Sequence, residues 1–351
     1  MSTIKEVAKK AGVSVSVVSK AFNNYADVKE ETRQRVFAIA QELHYSPNIN
    51  AKNLSSKKHT TIGLISSGVL NDNENDSNAF NIFKGVYQEI STSRFELSIY
   101  LTDSQQQKHQ SYISYCRERN IGGAILQGIR TDDQYYKELI GSSLPCVVLD
   151  IMAETENGLI GSVSIDNAQA TNEMAVYLLE RNHRKLAVMA GTRQTYVNSE
   201  RMKGLAKALD QYGMNLSNVD VLEASFSEEK AYELAKAYLQ EKQPTAFLCF
   251  SDLMAFGVLK AVKEAGLRIP EDISVTGFDD LVLSRYTQPP LTTIRQNFVE
   301  IGKLSARLLQ DIIDGKLERQ HIWVPHELME RESVKLLPMD PTAEKEKREI
   351  T

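Results

Sequence analysis

The sequence contains no apolar run near the roughly 20 residues that a membrane-spanning helix needs. Its first ten residues, MSTIKEVAKK, lack the apolar core of a signal peptide. A cytoplasmic location is expected, with no membrane partner. Cysteine is scarce: Cys116, Cys146 and Cys249 are scattered, each within or beside an apolar run. That pattern excludes a disulfide framework or thiolate metal site and reads as three buried free thiols. His44, His59, His109, His183, His321 and His326 show no metal-ligand spacing. There is no G-x-S-x-G elbow, no Walker loop and no G-x-G-x-x-G turn. With no catalytic arrangement in view, neither an enzyme nor a bound cofactor is expected.

What is present is an ordinary globular composition, 42% hydrophobic and 25% charged over 351 residues, with room for two or three domains. The net charge of −5 hides an asymmetry. Residues 1–60 carry ten Lys or Arg against five acids, so a +5 head precedes a −10 body. A basic head on an acidic body points to a polyanionic partner.

Thr3-Ile4-Lys5-Glu6 has the T-x-x-E form of a capping box. Ile4, Val7, Ala8 and Ala11 then share one helix face. Gly12 ends this helix in a tight turn, and Ser14 caps the next. The second helix buries Val17, Val18, Ala21 and Phe22 and shows Ser16, Ser19, Lys20 and Asn23. A third, starting near Glu30, presents Val36, Ile39, Ala40 and Leu43. Helix, glycine turn, helix is the helix-turn-helix pattern, whose second helix lies in the DNA major groove.

The stretches TIKEVAKKAGVSVSVVSKAFNN and VKEETRQRVFAIAQELHYSPNINAKNLSSKKHTTIGLI resemble the N-terminal region of the LacI/GalR family of bacterial transcription regulators, and the resemblance runs to about residue 336. It implies DNA contacts from Thr3, Ser14, Val15, Ser16, Ser19, Lys20, Asn23, Tyr45, Asn48, Ala51, Lys52 and Leu54, on operator DNA bound by a homodimer. It also accounts for Leu54, a lone large apolar residue in a polar linker. Residues 48–54 have the length for a helix of about 10 Å, with Ala51 and Leu54 on one face. So short a helix is unstable alone and folds on a partner. In the family this hinge helix pairs with its mate in the minor groove, and the leucine wedges between base pairs and kinks the duplex. The sequence departs from the family pattern at Val17, usually Thr; at Lys20 and Lys52, usually Arg; and at Lys29, where a Ser usually caps the third helix. These departures bear on the operator sequence rather than on the mode of binding.

From residue 61 strands and helices alternate. TIGLISSG, FELSIYLTD, IGGAILQGI and PCVVLD read as buried strands, with helices near 79–92, 105–119 and 132–141. SVSIDN, KLAVMAG, NVDVLEAS, TAFLCFSD and ISVTGFDD repeat the scheme. The expected fold class is α/β: a helix-turn-helix head (1–46), a hinge and linker (47–60), then a two-lobed periplasmic-binding-protein-like core of parallel sheets flanked by helices. The first lobe is placed at 61–162 and 291–322, the second at 163–290 and 323–337, and a disordered tail at 338–351. The tail has no leucine heptads, so a dimer is expected.

Ligands in such sheets bind at the carboxyl ends of strands. Asp150, Ser251, Asp252, Asp279 and Asp280 sit there, with Arg201 opening a helix after KLAVMAGTRQT and Phe226 just beyond VDVLEAS. Carboxylates and a guanidinium grip vicinal hydroxyls and an aromatic face covers a sugar ring, so the expected effector is a small polar molecule, a sugar or sugar derivative. Asp252 and Asp280 read as structural helix caps. By resemblance, Arg201, Phe226, Ser251 and Asp279 align with effector-contacting positions, and Asp150 with one used in some members. Asn78 and Phe80, where the family reads N-P-F-F, are further candidates. The leading function is an effector-controlled DNA-binding regulator, most often a repressor. The alternatives are a global regulator switched by a phosphorylated carrier protein and a sugar-binding protein with an incidental basic head.

Overall fold

The computed structural model describes residues 3–22, 25–45, 61–67, 77–139, 141–153, 158–316 and 320–339. The chain divides into two units, Met1–Thr60 and Thr61–Thr351.

Among its described residues the first unit holds three helices, α1 (Ile4–Ala11), α2 (Val15–Phe22) and α3 (Glu30–Glu42). The capping box forms as its spacing predicts: the Glu6 amide donates to Thr3 Oγ1, and Glu6 Oε2 accepts from the Thr3 amide at 2.7 Å. Gly12 stops α1 in the left-handed region at φ 65°. Ser14 Oγ accepts from the Val17 amide at the start of α2. Lys29, standing where a serine would cap, leaves α3 without a side-chain cap. The three helices close over Val7, Ala8, Ala11, Val18, Ala21, Val28, Val36 and Ala40, all buried.

The second unit runs in chain order through β1 (Thr61–Ser67), α4 (Ser77–Ile90), β2 (Glu96–Thr102), α5 (Ser104–His109), α6 (Tyr112–Glu118), β3 (Ile121–Gln127), α7 (Gln134–Leu139), β4 (Cys146–Leu149) and β5 (Ile160–Ser164). It continues with α8 (Asn167–Glu180), β6 (Leu186–Ala190), α9 (Tyr196–Gln211), β7 (Asp220–Glu223), α10 (Glu228–Glu241), β8 (Ala246–Cys249), α11 (Asp252–Glu264) and β9 (Ser274–Thr276). It ends with β10 (Thr293–Gln296), α12 (Phe298–Ile313), β11 (His321–Trp323) and β12 (His326–Met329). The expected single helix over 105–119 is two, because Asp103 and Ser111 each start a helix by accepting backbone N–H groups.

One parallel sheet has the order β11-β5-β4-β3-β1-β2 and the other β7-β6-β8-β9. Central strands such as β4, β6 and β8 are buried at every position, as parallel sheets covered on both faces require. Each sheet with its helices is one lobe. An antiparallel pair, β10 with β12, belongs to neither sheet. The stretch PPLTTIRQ, residues 289–296, ends in β10, a strand that is not among those expected from the sequence. α12 packs on α4 so closely that a Cβ on Gly85 or Gly302 would lie 2.0 or 2.2 Å from the facing backbone carbonyl. Among the described residues, no helix is long and apolar enough to cross a membrane. The three cysteines are buried free thiols, and burial pushes Cys116 up to about 12.

Residues 333–337 are sewn to the second lobe. Ser333 Oγ donates to Val275 O at 2.6 Å, and the Leu337 amide donates to Arg181 O at 3.0 Å. His183, fully buried, donates from Nε2 to Lys335 O at 3.0 Å, while its Nδ1 has no partner. Burial, against the favourable Lys335 carbonyl, lowers this histidine from 6.5 to about 4. Because the folded value is depressed, the neutral ring's contribution is complete above pH 6.5 and is lost as pH falls towards 4. Unfolding free energy should therefore drop by about 3 kcal/mol across that window. Denaturant titrations at pH 7 and pH 4.5 check this, with His183→Gln expected to flatten the dependence; an equal slope in the variant would refute it.

Candidate functional site

A cavity of about 270 Å³ opens between the two lobes. Its walls come from the carboxyl ends of strands and the first turns of helices: Gln127 and Arg130 after β3, Asp150 after β4, Tyr196 and Arg201 on α9, Phe226 after β7, Asp279 after β9, Gln296 at the end of β10, and Asn78 on α4. Five of the eight described non-glycine residues with positive φ follow strands at this cavity: Asp150 (59°), Ser225 (56°), Phe226 (63°), Asp279 (124°) and Asp280 (53°). Backbone held in such sparsely populated regions is a mark of binding sites.

Arg201 is only 4% exposed. It lies in the second turn of α9 rather than opening the helix, since Thr195 caps the helix from its N-terminus. Its guanidinium is fixed on every side. Nε donates to Asn167 Oδ1 at 2.9 Å and Nη1 to the Phe250 carbonyl. The group lies over the Phe278 ring at 3.6 Å, and Nη2 faces Asp279 Oδ1 at 4.0 Å. Burial pulls its proton affinity down, opposed first by Asp279 and then by Asp150. Asp279 is held in turn by Gln296 Nε2, which donates to Oδ1 at 2.7 Å, and by Asn78 Nδ2, which approaches Oδ2 at 3.5 Å. Asn78 is on the first lobe and Asp279 on the second, so this contact spans the cleft. Asp150 accepts from Ser164 Oγ at 2.9 Å; burial raises its carboxyl against the pull of Ser164 and Arg201. Phe226 covers Gly191 so tightly that a Cβ there would lie 2.1 Å from the ring. Arg130 is spoken for by Asp132 through two bonds of 2.8 Å.

Two expected residues stand elsewhere. Ser251 is buried and uses its hydroxyl to cap α11, accepting from the Met254 amide at 3.2 Å, and it is not in the cavity wall. Phe80 is 64% exposed, with its ring tilted against that of Phe83 at 6.0 Å between centroids, outside the cavity. Asp252 and Asp280 are structural, but as ties rather than caps. Asp252 accepts from the Leu281 amide, Ser284 Oγ and Thr293 Oγ1. Asp280 gathers Arg331, Arg295 and Arg285; burial alone would raise its carboxyl, and the three guanidiniums outweigh it and hold it below the usual range.

In the first unit the exposed side of α2 carries Val15, Ser16 and Lys20, with Ser14 exposed at its cap and Ser19 half-buried. Thr3 is exposed and shares its hydroxyl with Glu6. Tyr45 packs edge-on to Phe22 at 5.9 Å, within the helical core. Asn23, Asn48, Ala51, Lys52 and Leu54 lie outside the described residues.

Residues 3–48 match the model of bacterial regulatory proteins of the lacI family, and 175–334 match that of periplasmic binding protein-like domains. An HTH-type transcriptional repressor PurR of Pectobacterium atrosepticum is 34% identical over 343 residues, covering 95% of this chain and 97% of that protein. The PurR of Photobacterium profundum is 31% identical over 342 residues, covering 95% and 99%. The chain belongs to the LacI family. A solved lac repressor dimer, bound to operator and the anti-inducer ONPF, superposes with a TM-score of 0.83 at 26% identity, covering 95% of this chain and 99% of that one. A complex of the regulator CelR with cellobiose gives 0.68 at 26% identity, covering 95% and 100%. This is a family of regulators, not of enzymes.

Within this LacI-family core, Gln127, Arg130, Tyr196 and Gln296 line the cavity without having been singled out in the sequence. Gln127 ends a strand that the sequence shows, so the rule that selected Asp150 could have found it; Gln296 ends β10, a strand of four residues that is too short to show a period. Asn167, which orients Arg201, is 34 residues away from it, and no spacing signal joins the two.

Proposed function

We propose that the protein is a transcriptional repressor, cytoplasmic and homodimeric, that binds a palindromic operator through α2 and a hinge at residues 48–54. A small neutral sugar or sugar derivative in the interlobe cleft controls it. Under this reading Asp150, Arg201, Phe226 and Asp279 hold the effector, and Ser14, Val15, Ser16, Ser19 and Lys20 face DNA. The relatives' names and the operator-bound neighbour support the repressor class. The dimer is supported by an apolar surface on the second lobe, where Leu283 and Tyr286 are 63% and 75% exposed beside a groove lined by Leu259, Leu267 and Ile269.

The charge balance of the cleft carries the choice of a neutral effector. Both guanidiniums in its wall are already matched, Arg201 with Asp279 and Arg130 with Asp132, leaving Asp150 as one further carboxylate. No lysine or histidine lines the cavity among the described residues. A phosphate ester would enter a site with a surplus of negative charge, where like charges cost free energy in a low-dielectric setting. Hydroxyl groups would find acceptors on Asp150 and Asp279 and a ring face on Phe226. Thermal unfolding of the full chain with neutral sugars and their phosphate esters tests this. A neutral sugar at about 100 times its Kd should add about 2.7 kcal/mol and raise the Tm; a phosphorylated sugar binding more tightly than its neutral parent would refute the assignment.

A further inference from the structure

Lys20 is the single cation of α2, on its exposed side with Ser16. It does not stand alone. Its ammonium is ion-paired with Asp27, in the turn between α2 and α3, and both side chains are about half exposed, 45% and 55%. The Lys20 hydrogen bond holds the Asp27 carboxyl below its usual range, so it is ionised at neutral pH. The nearby Arg33 is committed to Glu30 and to the Tyr25 carbonyl. The helix thus presents a carboxylate-bound ammonium rather than a free charge.

This matters because of what lysine is. An ammonium is a point charge on a four-carbon stem, with three donors and no preferred plane. Unrestrained, it is attracted to any phosphate, which adds to affinity for all DNA and to none in particular. Held by a carboxylate, it keeps two donors free but loses much of its freedom and its net charge. Guanine offers N7 and O6 side by side in the major groove, two acceptors that such an aimed ammonium can satisfy together.

Resting on the reading of α2 as the DNA-facing helix, we propose that Asp27 is a specificity-determining positioning residue: it buttresses Lys20 towards a guanine edge and withholds it from phosphates. The pair persists in the operator complex. In complexes with arbitrary sequence it cancels a charge that would otherwise bind backbone.

The test compares the full chain with its Asp27→Asn variant on two duplexes: one selected from a randomised pool by the unchanged protein, and a scrambled duplex of equal length, across a salt series. Asp27→Asn should bind the scrambled duplex more tightly and the selected duplex no better. The ratio of the two affinities should fall about fivefold, the scale of an exposed ion pair. The log–log salt slope on the scrambled duplex should steepen by about 1.8, one further phosphate contact from each subunit of the dimer. In a Lys20→Ala background the same substitution should leave the ratio unchanged. Equal tightening on both duplexes would overturn the inference and make Asp27 a simple repelling charge. So would an undiminished effect in the Lys20→Ala background, or no change at any salt. If the unchanged protein binds neither duplex in a salt-dependent way, the DNA reading itself fails, an outcome distinct from these.

Discussion

Arg201→Ala is expected to weaken effector binding about a thousandfold while operator affinity stays within about twofold, so that the repressor no longer responds. Three of its contacts, to Asn167, the Phe250 carbonyl and the Phe278 face, exist to aim the guanidinium. Truncating one partner of a buried charge pair costs about 2–5 kcal/mol, much of it from the charge left without its counter-ion, here Asp279, 4.0 Å from Arg201. Asp279→Asn is the companion variant. It preserves shape and keeps an acceptor, but it removes the carboxylate that Gln296 and Asn78 hold in place. Its effector affinity should fall by a smaller factor, with normal stability. Calorimetric titration of effector, with operator binding measured on the same preparations, checks both. Loss of operator binding by a folded Arg201→Ala protein would contradict the assignment of Arg201 to the effector.

Leu54→Ala is expected to reduce specific operator affinity by at least about thirtyfold and to change non-specific binding by less than about twofold. A dimer carries two such leucines, and each wedge lost forfeits a contact on the scale of a mismatched base pair, about 1–3 kcal/mol. Non-specific binding is carried by phosphate neutralisation, to which a leucine adds nothing. Filter binding or anisotropy with operator and scrambled duplexes separates the two. Equal losses on both would sink the hinge reading.

Local chemistry was legible from the sequence; long-range pairing was not. Thr3, Glu6, Gly12 and Ser14 act over three or four residues, and their cap and turn geometry follows from type and spacing alone. The alternation of apolar runs with amphipathic helices announced parallel sheets. The strand-end rule then placed Asp150, Arg201, Phe226 and Asp279 close enough together to line one cavity. The same rule misplaced Ser251, because a serine after a strand serves a helix cap as readily as a ligand. It was silent on Phe80, whose direction depends on the rotation of α4. The break at Ser111 and the short strands β10, β11 and β12 have too few residues to show a period. Asp280 with its three arginines joins residues up to 51 apart, a distance at which sequence carries no contact signal.

The central claim is that this chain is a dimeric, sequence-specific DNA-binding repressor. The most direct measurement is selection of duplexes from a randomised pool by the purified full chain, with and without a mixture of neutral sugars, followed by sequencing. The predicted result is a palindrome of about 14–20 base pairs with a deformable central step, whose enrichment changes when the effector is present. An unenriched pool under both conditions at moderate salt would contradict it.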